Sequence, residues 1–394
     1  MAISISFWVL GMAVVYVYVG YPLILFLAVP RTRSGGAPVA LDALPPVTLL
    51  ISAFNEADCI ADKLDNTLAL DYPKGSLEVL VISDASDDGT DEIVSRYAAR
   101  GVRLLRMPQR GGKTLGLNAG VAASHGEIIV FSDANALYRG DAVRRLVAPF
   151  AEARVGAVIG ESTYVETESQ SGRSESLYWR YETWIKALES SGGSVVGGDG
   201  AIYAVRRALY RPMRADALSD FVNPLQVVKA GFACVYEPRA LSFEAAASDF
   251  AREYRRKVRI VNRAWRALIS MREMLNPLKY GAFSFRLWSH KVLRWWVPLS
   301  LVAVLATNVA LLGAGPFYQL TLALQIAFYA LACSGFLARH RPRQPAALRI
   351  PFYFCLVNVA SGVGLLEAMF GKSYTMWTTP RSSEVPPPGQ PDSR

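Results

Sequence analysis

The sequence predicts an α/β fold with a mostly parallel sheet, joined to transmembrane helices and to amphipathic helices at the membrane interface. Three β-branched apolar runs, which begin at Val47, Leu77 and Glu127, end in acidic or amide residues, and a helical pattern follows each of them. This alternation is typical of parallel strands connected by helices, whose ligands bind beyond the carboxyl ends of the strands. Two stretches without a charged residue, 1–30 and 295–338, predict the membrane part.

The apolar stretches set the number of spans. A helix needs about 20 apolar residues to cross a bilayer, so 1–30 predicts one transmembrane helix. A cleaved signal peptide is the alternative, but the stretch has no basic n-region and its apolar run is too long. Within 297–371 a break at 313–316 predicts two spans, and Ile350–Leu366 is a further segment that either spans or re-enters.

Basic residues predict the orientation of these spans. Arg31 and Arg33 follow the first span, and a second basic cluster, 339–349, precedes the last apolar segment. The positive-inside rule then places the large domain in the cytoplasm and Met1 outside. The tail, 372–394, is outside if the last segment spans and cytoplasmic if that segment re-enters.

Charge and cysteine usage narrow the classes of partner. Much of the formal net charge of +9 lies at membrane borders and in 252–272, so anionic lipid headgroups or phosphorylated substrates explain it better than nucleic acid. The segment 251–296 interleaves Arg, Lys and Trp with apolar residues, which predicts amphipathic helices at the membrane interface. The four cysteines have no metal-like spacing, and we interpret them as buried thiols.

Between a linker, 31–46, and the interface helices lies a predicted soluble domain, 47–250. Apolar runs predict its strands, and helical patterns open near Glu56, Thr90, Thr114 and Gly140. The predicted strands are Val47–Phe54, Leu77–Ser83, Val102–Arg106, Glu127–Ser132, Val155–Tyr164 and Ala233–Glu237.

Chemistry-bearing residues recur where these strands end. The motifs are Ser-Ala-Phe-Asn55-Glu56, Ile-Ser-Asp84, Arg-Gly-Gly-Lys113, Asp133-Ala-Asn135, Gly-Gly-Asp199-Gly, Leu-Ser-Asp220 and Arg256-Lys-Val-Arg259. Their order and spacing, over about 47–265, resemble the family-2 glycosyltransferases, which are inverting, membrane-integrated enzymes of the cellulose-, hyaluronan- and chitin-synthase-like superfamily. The resemblance implies a Rossmann-like glycosyltransferase type-A domain that uses a nucleotide-sugar donor. A UDP-sugar is the first candidate for that donor.

The resemblance assigns the first four motif residues to the donor. Asn55 and Glu56 would contact the nucleotide, although this pair also suits a helix N-terminus. The counterpart of Asp84 accepts a hydrogen bond from the nucleobase. Lys113 follows two glycines that let backbone and cation approach a nucleotide. Asp88-Gly-Thr90 is interpreted as a turn and helix cap without a ligand role.

A metal site is implied by Asp133-Ala-Asn135, which occupies the place of the family's Asp-x-Asp. There, the acids hold a Mg²⁺ or Mn²⁺ that neutralises charge on the departing diphosphate. Asn135 departs from the family pattern, because an amide oxygen can ligate a hard cation but adds no charge.

The remaining motif residues concern the acceptor and the diphosphate. Asp220 matches the general base, although Ser219 replaces the acid that usually precedes it. Asp199 either binds acceptor hydroxyls or caps a turn. Arg259 matches the arginine of the Gln-x-x-Arg-Trp motif and would bind the diphosphate. Arg256, which replaces the Gln, is also assigned to donor binding, and Ile260 replaces the Trp.

The predicted function is therefore an inverting hexosyltransferase at the cytoplasmic face of a bacterial inner membrane. It would transfer a sugar to a lipid-linked or growing polysaccharide acceptor. Membrane lipids are expected as partners, and nucleic acid is not. A processive synthase that exports its polymer is one alternative, which the altered Gln-x-x-Arg-Trp region disfavours. A non-catalytic membrane subunit is the other, supported by Asn135 and by the lone acid at Asp220.

Overall fold

The computed structural model describes residues 1–29, 44–165, 170–245, 250–341 and 344–376. The chain divides into two units. We call Pro30–Thr167, Lys186–Ala246 and Tyr374–Arg394 the sheet unit, and Met1–Val29, Glu168–Ile185 and Ala247–Ser373 the helical unit. Most of the predicted linker, and the tail beyond 376, lie outside the described residues.

The sheet unit is built on eight strands. They are β1 (Val47–Ala53), β2 (Leu77–Ser83), β3 (Val102–Arg106), β4 (Ile128–Asp133), β5 (Leu137–Tyr138), β6 (Val155–Val165), β7 (Ile202–Arg206) and β8 (Ala233–Ala245). Their order across the sheet is β3-β2-β1-β4-β7-β6-β8-β5. The first four strands of that order are parallel, whereas β7 is antiparallel to both of its neighbours, β4 and β6.

Sheet register explains why the acidic strand ends meet. In the parallel half, Ala53 pairs with Ser83 and Ser52 pairs with Asp133, so β1, β2 and β4 end at the same edge. Every residue of β1 is buried, as expected of a central strand that is covered on both faces. The residues that follow these strands are therefore brought together beyond one edge of the sheet.

Among the described residues, five helices lie wholly within the sheet unit: α3 (Ile60–Leu68), α4 (Thr90–Ser95), α5 (Lys113–Ala123), α6 (Ala142–Val147) and α8 (Ser219–Lys229). Helix α3 buries Ile60, Leu64 and Thr67 in the same stripe as Lys63. A further helix, α7 (Gln170–Ser191), has residues in both units.

The helical unit contains four helical stretches that are long and apolar enough to cross a membrane, counted over the described residues: Ala2–Ala28, Pro277–Ala310, Pro316–Leu337 and Ala346–Met369. The first comprises α1 (Ala2–Val15) and α2 (Tyr21–Ala28), and the second α10 (Pro277–Leu287) and α11 (Leu293–Ala310). The others are α12 (Pro316–Leu337) and α13 (Ala346–Met369), and α9 (Phe250–Ser270) carries the Arg-rich segment.

The predicted fold class is confirmed, with three differences in detail. The four parallel strands start and end within one residue of their predicted bounds. Strands β5 and β7 have no counterpart in the prediction, because one is two residues long and the other follows a glycine-rich loop without an alternating pattern. The second apolar stretch begins at Pro277 instead of 297, with a kink at Gly281.

Candidate functional site

The loop after β1 is fixed to the loop after β2. Asn55 adopts a positive φ of 54°, which Asn tolerates better than most residues. Its side-chain amide donates to Asp87 Oδ1 at 2.7 Å and accepts from the Asp87 N–H at 3.0 Å. Glu56 is buried, and its backbone N–H donates to the Thr90 hydroxyl at 2.9 Å. The loop of Asn55 and Glu56, which is predicted to contact the nucleotide, is thus held by hydrogen bonds to the loop after β2.

Asp88 stabilises both loops through its carboxylate. Its oxygens accept from the Ala57 N–H at 3.0 Å and from the Thr90 N–H at 3.0 Å. Although partial burial opposes it, hydrogen bonds from the Thr90 hydroxyl and from backbone N–H groups lower the pKa of Asp88 below its ordinary value. These contacts agree with the turn and cap expected of Asp88-Gly-Thr90.

Asp84 holds the glycine loop that precedes Lys113. Its two carboxylate oxygens accept from the Gly111 N–H at 2.7 Å and from the Gly112 N–H at 2.9 Å, and the side chain is 1% exposed. Gly112 has a φ of 88°, and a Cβ there would collide with the carbonyl oxygen of Thr375. The structure therefore gives Asp84 a loop-holding role, which sequence reasoning did not anticipate.

Lys113 and Asp133 form an ion pair at the sheet edge. The Lys113 ammonium donates to Asp133 Oδ1, and both side chains are partly exposed. Asp133 ends β4, and Asn135 lies in the turn that follows it. The flanking Ala134 and Ala136 are buried, whereas Asp133 and Asn135 are partly exposed. The two predicted metal ligands are thus the accessible side chains of this turn.

Asp220 approaches the same place from the antiparallel half. It lies in the first turn of α8, and its backbone carbonyl accepts from the Gly198 N–H at 2.7 Å. A Cβ on Gly200 would lie 3.7 Å from Lys113 Nζ and 3.8 Å from Asp220 Oδ2. The Lys113 ammonium and an Asp220 carboxylate oxygen therefore both lie beside Gly200.

Asp199, in that same loop, makes the turn-capping contact that was one of the two roles left open by the sequence. One carboxylate oxygen accepts from the Ala201 N–H at 3.2 Å and so caps the turn before β7. The other oxygen is buried and has no hydrogen-bond partner among the described residues. That second oxygen is available for a hydroxyl donor, which is what an acceptor sugar would supply.

Helix α5 anchors the segment that leads to Asp220. The Thr114 hydroxyl donates to the Ala217 carbonyl at 2.9 Å, and the Asn118 amide donates to the Met213 carbonyl at 2.7 Å. Lys113 is the first residue of α5. The same helix therefore positions both the Lys113 ammonium and the segment that leads to Asp220.

Arg256 and Arg259 lie on α9, in the helical unit. Arg256 pairs with the buried Glu253 at 2.8 Å, and Lys257 pairs with it at 3.5 Å. Although burial opposes it, these cations lower the pKa of Glu253 to about 2. The other predicted residues all lie in the sheet unit.

The turn after β4 fits a hard divalent cation that shares ligands with a diphosphate. Within the described part of the chain, no group of three or more His, Cys, Asp or Glu side chains could hold a metal by itself. Mg²⁺-type sites commonly use one or two carboxylates and complete their coordination with phosphate oxygens and water. Asp133, Asn135 and a bound diphosphate would supply that donor set, and Asp133 pairs with one cation in this structure, the Lys113 ammonium.

Sequence reasoning missed one polar residue beneath this turn. Lys63 is fully buried, its ammonium donates to the Ala136 carbonyl, and it lies 4.0 Å from the centre of the Tyr138 ring. Burial lowers the pKa of Lys63 to about 7, although the carboxylates of Asp133 and Glu244 favour its charged form. A lysine at a core-facing position of α3 was the available signal.

Comparison with protein families finds a match for part of this fold. Residues 48–212 match the family described as glycosyl transferase family 2. The chain is 27% identical to the probable glycosyltransferase YdaM of Bacillus subtilis over 249 residues, which are 59% of this chain and 57% of that protein. It is 37% identical to a beta-monoglucosyldiacylglycerol synthase of Trichormus variabilis over 120 residues, which are 29% of this chain and 26% of that protein.

A third relative is the poly-beta-1,6-N-acetyl-D-glucosamine synthase of Staphylococcus aureus, 27% identical over 155 residues, or 39% of this chain and 37% of that protein. The chain thus spans between about a quarter and somewhat more than half of these relatives. Among solved structures, a mannosyltransferase of Pyrobaculum calidifontis in complex with GDP-Man and Mn²⁺ superposes with a TM-score of 0.69 at 23% identity, over 92% of this chain and 99% of that one. Residues 48–212 are therefore similar to the glycosyl transferase family 2, and the fold as a whole is shared with the mannosyltransferase structure.

Proposed function

We propose that the family 2 glycosyltransferase domain of this chain transfers one sugar, with inversion, from a nucleotide-diphosphate donor to a lipid-linked or growing glycan acceptor. The proposal rests on the proximity of three charged side chains: Lys113 and Asp220 both lie beside Gly200, and Lys113 pairs with Asp133. This arrangement places a cation, a metal-type carboxylate and a second carboxylate within a few ångströms of one another. Inverting transfer requires such a set, because a base must act on the acceptor while charge develops on the leaving diphosphate.

In this mechanism Asp220 accepts the proton of the acceptor hydroxyl as that oxygen attacks the anomeric carbon. The buried oxygen of Asp199 orients an acceptor hydroxyl beside it. Lys113 stabilises the diphosphate, and the braced loops of Asn55 and Glu56 position the nucleotide. Asp84 acts by holding the Gly111–Gly112 backbone in place.

Asp133 and Asn135 would hold Mg²⁺ or Mn²⁺ together with the donor's diphosphate. A bound cation would neutralise the negative charge that the nucleoside diphosphate acquires on departure. Arg259 is proposed to bind the same diphosphate, and Arg256 to support α9 through its pair with Glu253.

Measurement of nucleoside diphosphate release tests this function. The full chain, in detergent or nanodiscs, is given a panel of nucleotide sugars, Mg²⁺ or Mn²⁺, and a membrane lipid extract as acceptor. We expect release with one donor and none from the Asp220→Asn variant. The proposal fails if no donor is consumed by the wild type, or if release continues unchanged in the variant.

A processive synthase is the second candidate, favoured by the similarity to the polymer synthase of S. aureus. The replacement of the Trp of Gln-x-x-Arg-Trp by Ile260 disfavours it, because the residue directly after Arg259 is not aromatic and Trp265 lies too far along the chain to be a direct substitute. The length distribution of the product, measured in the same assay, distinguishes the two candidates.

The proposed location is the cytoplasmic face of a bacterial inner membrane, with three spans and α13 at the interface. Helix α13 lies beside the Arg-rich α9 over its length: Phe250 contacts Phe352 at a ring-centre distance of 4.9 Å, and the Asn262 amide donates to the Lys372 carbonyl at 3.1 Å. A helix as basic as α9 does not enter the hydrocarbon core. The α13 window is also 44% buried by protein, compared with 17–28% for the other three.

Cysteine labelling in a variant that lacks the four natural cysteines tests this topology. Ser373→Cys and Gly313→Cys both place a thiol at an exposed position, after α13 and between α11 and α12 respectively. With a membrane-impermeant maleimide, we expect Gly313→Cys to react in right-side-out vesicles and Ser373→Cys only in inverted ones. Reaction of both in right-side-out vesicles would require α13 to span.

A further inference from the structure

Helix α3 presents two polar side chains to the turn that follows β4. Lys63 and Asn66 lie about one helical turn apart on this short helix. The Lys63 ammonium donates to the Ala136 carbonyl, and Asn66 makes two hydrogen bonds to the backbone of Tyr138. Both side chains therefore contact the main chain of the segment that carries Asp133 and Asn135.

The Asn66 contacts are reciprocal. Its Nδ2 donates to the Tyr138 carbonyl at 2.9 Å, and its Oδ1 accepts from the Tyr138 N–H at 2.7 Å. A side-chain amide that pairs with both backbone groups of one residue fixes the position and the direction of the chain there. Tyr138 is itself fully buried, and its hydroxyl donates to the Phe131 and Ala201 carbonyls at 3.1 and 2.9 Å.

The burial of Lys63 has a large energetic cost that other contacts must offset. Its side chain is 0% exposed, and desolvation of an ammonium costs several kcal/mol before compensation. Compensation comes from the Ala136 carbonyl, from the face of the Tyr138 ring and from the carboxylates of Asp133 and Glu244. An apolar residue would fill the same core position of α3 at a lower cost.

Helix α3 also begins close to the Asn55–Glu56 loop, which is proposed to position the nucleotide. The Glu56 carbonyl accepts from the N–H groups of Cys59 and Ile60 at 3.0 and 2.9 Å, which ties the Asn55–Glu56 loop to the start of the helix. One rigid element of nine residues thus joins that loop to the turn after β4.

We propose that Lys63 and Asn66 are positioning residues, which hold the Asp133–Tyr138 turn in the geometry that binds the divalent cation. The inference rests on the proposed function, since it assigns a supporting shell to that site. Such outer-shell contacts orient ligands and commonly change metal affinity by about 10- to 100-fold when removed. Thr67 is the matched control, because it is buried on the same helix and its hydroxyl has no hydrogen-bond partner among the described residues.

Mn²⁺ binding to the purified full chain, measured by electron paramagnetic resonance with UDP or GDP present, tests the inference without catalysis. Asn66→Leu removes both backbone contacts without a change of charge, and we expect it to raise the Mn²⁺ dissociation constant at least about tenfold. Thr67→Val should leave that constant unchanged. Thermal unfolding of each variant gives its stability independently.

Lys63→Met is the second variant and is expected to fold, because it replaces a buried charge by an apolar chain of similar length. Its Mn²⁺ affinity should also fall, but less than that of Asn66→Leu, since loss of a nearby positive charge favours the cation. Unchanged or tighter binding in this variant, or unchanged binding in a folded Asn66→Leu, would overturn the positioning role. Absence of Mn²⁺ binding in the wild type would instead overturn the proposed metal site, and the positioning role with it.

Discussion

Replacement of Asp220 by Asn is expected to lower the rate of sugar transfer by about 10²- to 10⁴-fold, the usual contribution of a positioned general base. Asn has nearly the same shape, so the hydrogen bond between the Asp220 carbonyl and the Gly198 N–H should persist. Donor binding should therefore stay close to that of the wild type. Nucleotide-sugar affinity by calorimetry, together with turnover under saturating donor, separates the two effects.

Asp216→Asn is the matched control for this experiment. Asp216 lies in the segment before α8 and pairs with the exposed Arg214 at 3.1 Å. The Arg214 side chain is 72% exposed and that of Asp216 13%, and Asn keeps the shape of the Asp216 side chain, so the substitution should leave turnover and donor affinity close to those of the wild type. Loss of donor binding in a folded Asp220→Asn protein would contradict the assignment of a general base and indicate a donor role.

Replacement of Asp133 by Ala is expected to remove metal-dependent donor binding. The carboxylate is the only charged protein ligand proposed for the cation, so its loss should exceed the about 10- to 100-fold effect of outer-shell residues. Titration of Mn²⁺ against the nucleoside diphosphate measures the change directly. Affinity equal to that of the wild type at all Mn²⁺ concentrations would exclude Asp133 from the metal site.

A substitution at the neighbouring Asn135 is expected to raise the affinity for Mn²⁺ instead of lowering it. Asn135→Asp adds a negative charge at a partly exposed position of the same turn, so Mn²⁺ should bind more tightly than to the wild type. Weaker binding in this variant would mean that Asn135 does not face the cation.

The parallel half of the fold could be predicted from sequence because its signals are local. The β-branched runs of β1, β2 and β4 are continuous, and each is followed by its functional residue, so both the strands and their shared edge could be predicted. The roles assigned to those residues stay predictions. The antiparallel strand β7 escaped detection because five residues after a glycine-rich loop carry too short a pattern to distinguish a strand from a loop.

Contacts between distant segments account for the rest. Asp84 could be predicted at the site, but its bonds to Gly111 and Gly112 depend on how a loop folds back over 27 residues. Thr375 and Gly112 lie next to each other although they are more than 260 positions apart in the sequence. No local sequence pattern encodes such a contact. Lys63 was visible as a charge among core positions of α3, yet the sequence does not say which carbonyl it meets.

The order of the sheet has a consequence for how this protein can diversify. The border between β4 and β7 divides the sheet into a parallel half, which carries the proposed nucleotide and metal residues, and a half that carries Asp199 and Asp220. On the proposed function, donor and acceptor are recognised by segments encoded one after the other. Changes confined to 186–245 could then alter the acceptor while the nucleotide chemistry is inherited intact, which makes that segment the natural unit for recombination between relatives.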